Sequence, residues 1–422
     1  MIAEISFYQY LSEMKKTIFL LGLCIVVFAC KQTTSSTKNS VIETSFNGDS
    51  LTTILDSIYN ESAIVGFSTA IVSSNKILYS ESFGKAGLSE EKIYTPQTLQ
   101  NIGSISKTFI GVSLLKAQEL GLLKLDDPIN QYLPFSVINP EYPNSEITIR
   151  QLATHTSSIV DTDYYGKSYI LLNENHQPFE KVVEYVNKLD TKIPMETYLE
   201  KVVGENGEWN TESFADHAPG TNYEYTNIGA TVAALVLEKA AKMPFHDFTK
   251  KYILDPLDMH SSGWLQSEID ASNRSRSFIN KDTLIAPYEL ITYPDGGFIT
   301  STQELSLYLQ ELINGYEGNG TLLNKQSYQE LFTKQLLEEQ LPENEKGHNS
   351  GIFMGFSKRG IGHSGGDPGV LTFMYFNPET EVGKILFCNT DFEENQKVIK
   401  DFVAIWRTLQ RFETGFQNAE AN

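Results

Sequence analysis

Ser104 and Lys107 stand three residues apart in NIGSISKTFIGVSLLKAQELG, residues 101–121. On a helix that spacing puts both side chains on one face, within reach of each other. A serine hydroxyl attacks a carbonyl only when a base takes its proton, and a desolvated lysine amine can be that base. The first turn of a helix also turns unpaired backbone N–H groups outward, where they can hold a developing oxyanion. Tyr225 and Asn227 follow in APGTNYEYTNIGATVAALVLEKA. Alternate residues of an extended or turning backbone face the same way, so both can face one cleft. A phenol beside an ammonium can act as base or proton relay, and an amide offers both a donor and an acceptor. The third group is His363-Ser364-Gly365-Gly366, in SKRGIGHSGGDPGVLTFMYFNP. Its surroundings alternate as strands do, and the small residues would let a substrate backbone come close. A free N–H on such a strand can be a second oxyanion donor.

Each group alone has a plainer reading. S-x-x-K arises by chance in a chain this long, Tyr225 fits a buried tyrosine beside a capping asparagine, and the third run fits a Gly-rich hairpin with a solvated histidine. The three taken in order change this. The succession S-x-x-K, Y-x-N, H-x-G resembles the serine β-lactamase and penicillin-binding-protein superfamily, in its class C-like branch. That branch includes class C β-lactamases, esterases, D-Ala-D-Ala carboxypeptidases and D-aminopeptidases. TIRQLATHTSSI (148–159), PGTNYEYTNIGA and YPDGGFITSTQELSLYLQ (293–310) are similar to the flanking segments of the family, and the likeness runs over roughly residues 50 to 410.

The resemblance implies acyl transfer without a cofactor. Ser104 would attack and form an acyl-enzyme. Lys107 and Tyr225 would share the proton work, the choice of base between them staying open. Asn227 would position substrate and lysine. The backbone N–H groups of Ser104 and Gly366 would hold the oxyanion, and His363, Ser364 and Gly365 would line the substrate. Family members that act on β-lactams usually carry lysine where this chain has His363. Histidine, with an ordinary pKa near 6.5, is mostly neutral at pH 7. The expectation is therefore an esterase or a D-amino-acid peptidase or amidase. The alternatives are a β-lactamase and a non-catalytic penicillin-binding sensor lipoprotein. Ser158 stands where the family often has glycine, which bears on that turn, and His155 reads as structural.

These groups need elements to position them. DSLTTILDSIYNE (49–61) reads as an amphipathic helix, FSTAIVSS and ILYSESF as a hairpin around Asn75-Lys76, and the Ser104 run as an amphipathic helix ending near Gly121. Residues 125–290 read as a mostly helical lobe, with 160–215 polar and poorly patterned. GIFMGF, the His363 run, GVLTFMYFNP and EVGKILFCNT read as strands, and DFEENQKVIKDFVAIWRTLQRFE as a long closing helix. The fold expected is α/β: an antiparallel sheet flanked by helices plus the helical lobe, the hydrolase domain covering 48–415 and a tail 416–422.

Composition narrows the remaining choices. The formal net charge is −20, and no basic run occurs outside the N-terminus, which argues against nucleic acid as partner. Small-molecule or peptide substrates fit. Met14-Lys15-Lys16 precedes the apolar run TIFLLGLCIVVFA and Cys30. This reads as an export signal with the start at Met14, cut before a Cys30 that resembles a lipidation site, with 31–47 as a polar tether. That places the protein at the membrane through a lipid, in the bacterial cell envelope. Beyond Cys24 and Cys30 only Cys388 remains in the body, so no intramolecular disulfide is available there. The seven histidines show no metal-ligand spacing.

Overall fold

The computed structural model describes residues 47–420, apart from 90, 173–176, 178, 183–188, 190, 191 and 394. The expected leader 1–30 with Cys30, and the tether up to residue 46, lie outside the described residues. No helix among the described residues is long and apolar enough to cross a membrane.

A seven-stranded antiparallel sheet organises the chain. Its strands are β1 (Gly66–Val72), β2 (Ile77–Gly84), β3 (Asn349–Ser350), β4 (Gly355–Ser357), β5 (Gly360–Asp367), β6 (Val370–Asn377) and β7 (Val382–Cys388), in the spatial order β3-β4-β5-β6-β7-β1-β2. The expected union of early and late strands occurs at β1 and β7, where Phe67 faces Cys388 and Val72 faces Gly383. Both strands are buried along their whole length, as strands covered on two faces must be.

Period-two alternation sorts their side chains into two cores. Phe67, Ile71, Phe373, Tyr375, Leu386 and Cys388 point to one face, and Ala70, Val72, Met374, Phe376, Ile385 and Phe387 to the other. The terminal helices α1 (Gly48–Glu61) and α6 (Gln396–Glu420) cover the first face. Asn47 caps α1, accepting from Ser50 N at 3.0 Å. Helix α6 buries Val398, Phe402, Ile405, Trp406, Leu409, Phe412 and Phe416 at helical spacing. It continues through the segment set apart as a tail, because Phe416 still packs on the core. Lys384 of β7 and Glu413 of α6 are both buried and form an ion pair between the two layers.

The second face receives α2 (Ser106–Glu119) and α5 (Thr302–Glu317), with α4 (Asn227–Ala241) behind them. Helix α2 is not amphipathic as expected. Its residues from Ser106 to Leu115 are all buried, because the sheet covers one side and the helical lobe the other. The lobe also differs from a purely helical one. It holds α3 (Met195–Val203), which buries Tyr198, Leu199, Val202 and Val203, and short strands at 169–171, 180–181, 278–280, 283–285 and 288–290. GIFMGF contributes only Gly355-Phe356 to a strand. Residues 351–354 turn instead, with Phe353 at φ +51°.

Candidate active site

Ser104 lies in a 3-10 turn, Gly103–Ile105, that leads directly into α2. Gly103 before it sits at φ +53°, and a Cβ there would meet Gly366 N at 2.8 Å. Only glycine lets the Ser104 turn and β5 approach so closely. Gly365 is equally constrained: a Cβ would stand 2.0 Å from Ile102 O. These two contacts bring the Gly366 backbone N–H beside the Ser104 turn.

One helical turn on, Lys107 is fully buried. Its Nζ donates to Ser104 Oγ at 2.9 Å, to Asn227 Oδ1 at 2.7 Å and to the Asp295 carbonyl at 2.8 Å. An ammonium has three protons to give, and these acceptors match them. A neutral amine keeps two N–H bonds, which the amide and carbonyl oxygens would take, and its lone pair then faces the serine hydroxyl. The geometry therefore suits both protonation states.

Asn227 is the first residue of α4, and Thr226, not Asn227, is the cap, its Oγ1 accepting from Gly229 N at 3.1 Å. The asparagine side chain is thus not spent on the cap, and its Oδ1 meets the lysine. Buried Asp161 anchors that end of α4. Its carboxylate accepts from Thr226 Oγ1 at 2.9 Å, Asn227 N at 2.9 Å, Ile228 N at 2.9 Å and Asn227 Nδ2 at 2.7 Å. A carboxylate at a helix N-terminus is favoured by the aligned N–H groups.

Tyr225 places its ring 5.1 Å from Lys107 Nζ and 6.2 Å from the His363 ring. His155 stacks on Tyr225 with centroids 4.4 Å apart, and its Nδ1 accepts from Thr226 N at 3.3 Å. Burial, then the charge of Lys107, holds the His155 pKa well below the ordinary value. The residue read as structural is therefore a neutral plate under Tyr225. His155 and Ser158 both take left-handed backbone, at φ +56° and +63°. A positive φ of this kind favours glycine, which accounts for the expectation of glycine at position 158. Here Asn139 Nδ2 donates to Ser158 Oγ at 3.0 Å.

His363, Ser364, Gly365 and Gly366 lie on β5, paired with β6 through His363 opposite Met374 and Gly366 opposite Leu371. His363 keeps some solvent contact at the edge of a cavity, yet enclosure of the ring, and secondarily Lys107, lowers its pKa to about 4. Its Nδ1 stands 2.6 Å from its neighbour's carbonyl, Ser364 O. A carbonyl only accepts, so Nδ1 carries the proton, and in the neutral ring Nε2 is an acceptor. Cys388 is buried, which pushes its thiol up to about 12 and makes it inert.

Two buried carboxylates stand behind the lysine. Asp295 accepts from Tyr165 OH and Thr231 Oγ1, each at 2.8 Å. Burial raises its pKa to about 6 against the opposing charge of Lys107. Asp367 accepts from Tyr169 OH at 2.5 Å. Burial raises it to about 7, the Tyr169 hydrogen bond opposing and Asp295 adding to the rise. Sequence reasoning missed Asp161 and gave no role to Asp295 or Asp367. Asp161 lies in the polar stretch without pattern, and Asp295 lies in a quoted segment where only the glycines stood out.

Among the described residues, the structure brings together Ser104, Lys107, Tyr225, Asn227 and the His363–Gly366 strand, and it finds no cluster that could hold a metal ion. The arrangement can do nucleophilic acyl chemistry: a hydroxyl touching an amine, a phenol nearby and backbone N–H groups at a glycine contact.

Comparison with known proteins gives a family and a fold. The sequence profile of the family described as Beta-lactamase matches residues 51–406. The chain is 23% identical over 353 residues to Protein flp of Staphylococcus aureus (strain MW2), covering 82% of this chain and 64% of that protein. It is 26% identical over 317 residues to Penicillin-binding protein 4* of Bacillus subtilis (strain 168), covering 71% and 62%. The chain thus spans less than two thirds of the length of either relative. Among solved structures, the D-amino acid amidase of Ochrobactrum anthropi SV3 complexed with L-phenylalanine amide is similar in fold. Its TM-score is 0.65 at 18% identity, over 88% of this chain and 98% of that one.

Proposed function

The chain belongs to the beta-lactamase family, and from that premise we propose that it is an exported serine hydrolase cleaving an ester or amide through an acyl-enzyme. The observation that carries this is the contact of Lys107 Nζ with Ser104 Oγ at 2.9 Å, in a buried setting where Asn227 and the Asp295 carbonyl take the other two donor positions.

In this reading Ser104 Oγ attacks the carbonyl carbon while its proton passes to Lys107 or Tyr225. The N–H groups of Ser104 and Gly366 hold the oxyanion, and loss of one such donor typically costs about 2.7–4 kcal/mol in the barrier. Tyr225 returns the proton to the leaving group. Water then attacks the ester, with Tyr225 as base, and Ser104 is released. Asn227 keeps Lys107 and substrate in register. His155, neutral and stacked, holds the Tyr225 ring.

A neutral His363 offers a β-lactam carboxylate no fixed charge, which favours an esterase or a D-amino-acid amidase or peptidase over a β-lactamase. Export and lipid attachment at Cys30 are part of the proposal. They rest on Met14-Lys15-Lys16, the apolar run after it and the polar tether beyond Cys30.

Intact-mass analysis tests the chemistry. Incubation with a fluorophosphonate or a short acyl ester should add one adduct, and the Ser104→Ala variant should show none. A folded chain that takes no adduct from either probe would instead be a non-catalytic binding module. Nitrocefin hydrolysis with kcat/KM far above that for short acyl esters would make it a β-lactamase.

A further inference from the structure

Beside Tyr225 and His363 lies a cavity of about 410 Å³ that Ser104 and Lys107 do not line. Strand β5 shows which part of a substrate it serves. Gly362, His363 and Ser364 line the cavity, while Gly366 stands at the Ser104 turn. At about 3.3 Å per residue, His363 is about 10 Å along the strand from Gly366. With the acyl oxygen at Gly366 N, the cavity begins past the reacting carbon, on the side where Tyr225 returns a proton. That side receives the leaving group.

The wall carries carboxylates without a fixed cation. Among the described residues no lysine or arginine lines it, whereas Glu224 and Glu345 do. Glu224 Oε2 lies 3.4 Å from His217 Nε2, and Glu345 Oε2 lies 3.8 Å from His348 Nδ1. His363 commits its Nδ1–H to the Ser364 carbonyl and leaves Nε2 as an acceptor at the rim. A carboxylate entering here would meet two carboxylates and no fixed cation. An amine would meet partners.

We propose that this cavity is the leaving-group subsite and that it selects a leaving group bearing hydrogen-bond donors or a positive charge, an amine or ammonium, against one ending in a free carboxylate. This rests on the acyl-enzyme reading above. For an amide substrate, the bond from Ser104 Oγ to the carbonyl carbon forms and the bond from that carbon to nitrogen breaks. The serine proton ends on the nitrogen, and the free primary amine leaves through the cavity. Water then cleaves the acyl-enzyme, releasing the carboxylic acid and restoring the serine hydroxyl.

The test compares three substrates with one acyl group, N-acetyl-D-alanine, joined to D-alanine, to D-alaninamide or to 1,2-diaminoethane. With the mature chain, kcat/KM should rise in that order, at least tenfold from first to last. Glu224→Gln or Glu345→Gln should each narrow the ratio at least threefold. Should a variant fail to fold, the wild-type ratio should still shrink as salt is raised, because charge selection is screened. Equal or faster cleavage of the D-alanine conjugate, or a ratio insensitive to both substitutions and to salt, overturns the inference alone. Absence of all cleavage together with no fluorophosphonate adduct at Ser104 overturns the acyl-enzyme reading, and this inference with it.

Discussion

Asp161 holds Asn227 twice, accepting its side-chain Nδ2–H at 2.7 Å and its backbone N–H at 2.9 Å. This settles the amide's orientation: with Nδ2 bound to the carboxylate, Oδ1 must face Lys107. Asp161 is therefore a positioning residue for the lysine. Asp161→Asn should lower kcat about 10–100-fold with a smaller change in KM, the size of effect a displaced catalytic group produces. Asp161→Ala should also lower stability by about 2–4 kcal/mol, since it strands buried N–H groups. Steady-state kinetics and denaturant titration read the two effects. A kcat within threefold of wild type in Asp161→Asn would remove the positioning role.

The close approach of Gly103 to Gly366 gives a second expectation. Gly103→Ala forces a Cβ toward Gly366 N at a positive φ and should push the oxyanion donor out of place. The acylation rate should fall by about 10²–10³, the cost of losing one such donor. Stopped-flow labelling with a fluorophosphonate measures it. An unchanged rate in a folded variant would mean that Gly366 N does not serve the oxyanion.

Asp367 gives stability an unusual pH dependence. Its folded pKa of about 7 lies above the ordinary 3.8. Between those values the native state binds the proton more tightly than the unfolded chain does, so stability falls as pH rises. The contribution is complete below about pH 4 and lost as pH passes about 7. Asp367→Asn cannot ionise and can still accept from Tyr169 OH. It should match wild type near pH 4 and exceed it by about 2–4 kcal/mol at pH 8. Thermal melts at both values decide. A difference that is the same at the two pH values would show that Asp367 is ionised in the fold.

Position 158 tests the backbone. Serine tolerates φ +63° there, but a β-branched side chain does so poorly. Ser158→Val should cost about 2 kcal/mol in denaturant unfolding, part of it through loss of the Asn139 hydrogen bond. No measurable loss would mean that the turn rearranges freely.

Much of the fold was legible where local pattern and tertiary environment agree. Strands β1, β2 and β5–β7 and helix α6 declare themselves by alternation, turn residues or helical spacing. Helix α2 was located but its burial was misjudged, because a helix enclosed by two layers has no polar stripe to display. Helix α3 was missed inside a polar stretch, and GIFMGF reads as a strand because apolar composition alone does not reveal the positive φ at Phe353. At the site, Ser104, Lys107, Tyr225, Asn227 and His363–Gly366 stand out by residue type and order. Asp161 and Asp295 do not. Their partners are 66 and 188 residues away, so their roles exist only once the chain has folded.

The pairing of β1 with β7 has a consequence for biosynthesis. Phe67 must wait for Cys388, and the strand carrying His363 emerges long after the turn carrying Ser104. A ribosome that has made the first 300 residues therefore holds the Ser104 turn without the strand that packs against it. The geometry that the proposed hydrolase reading requires therefore comes together only after nearly the whole chain has been made, and a chain cut short before β5 lacks it.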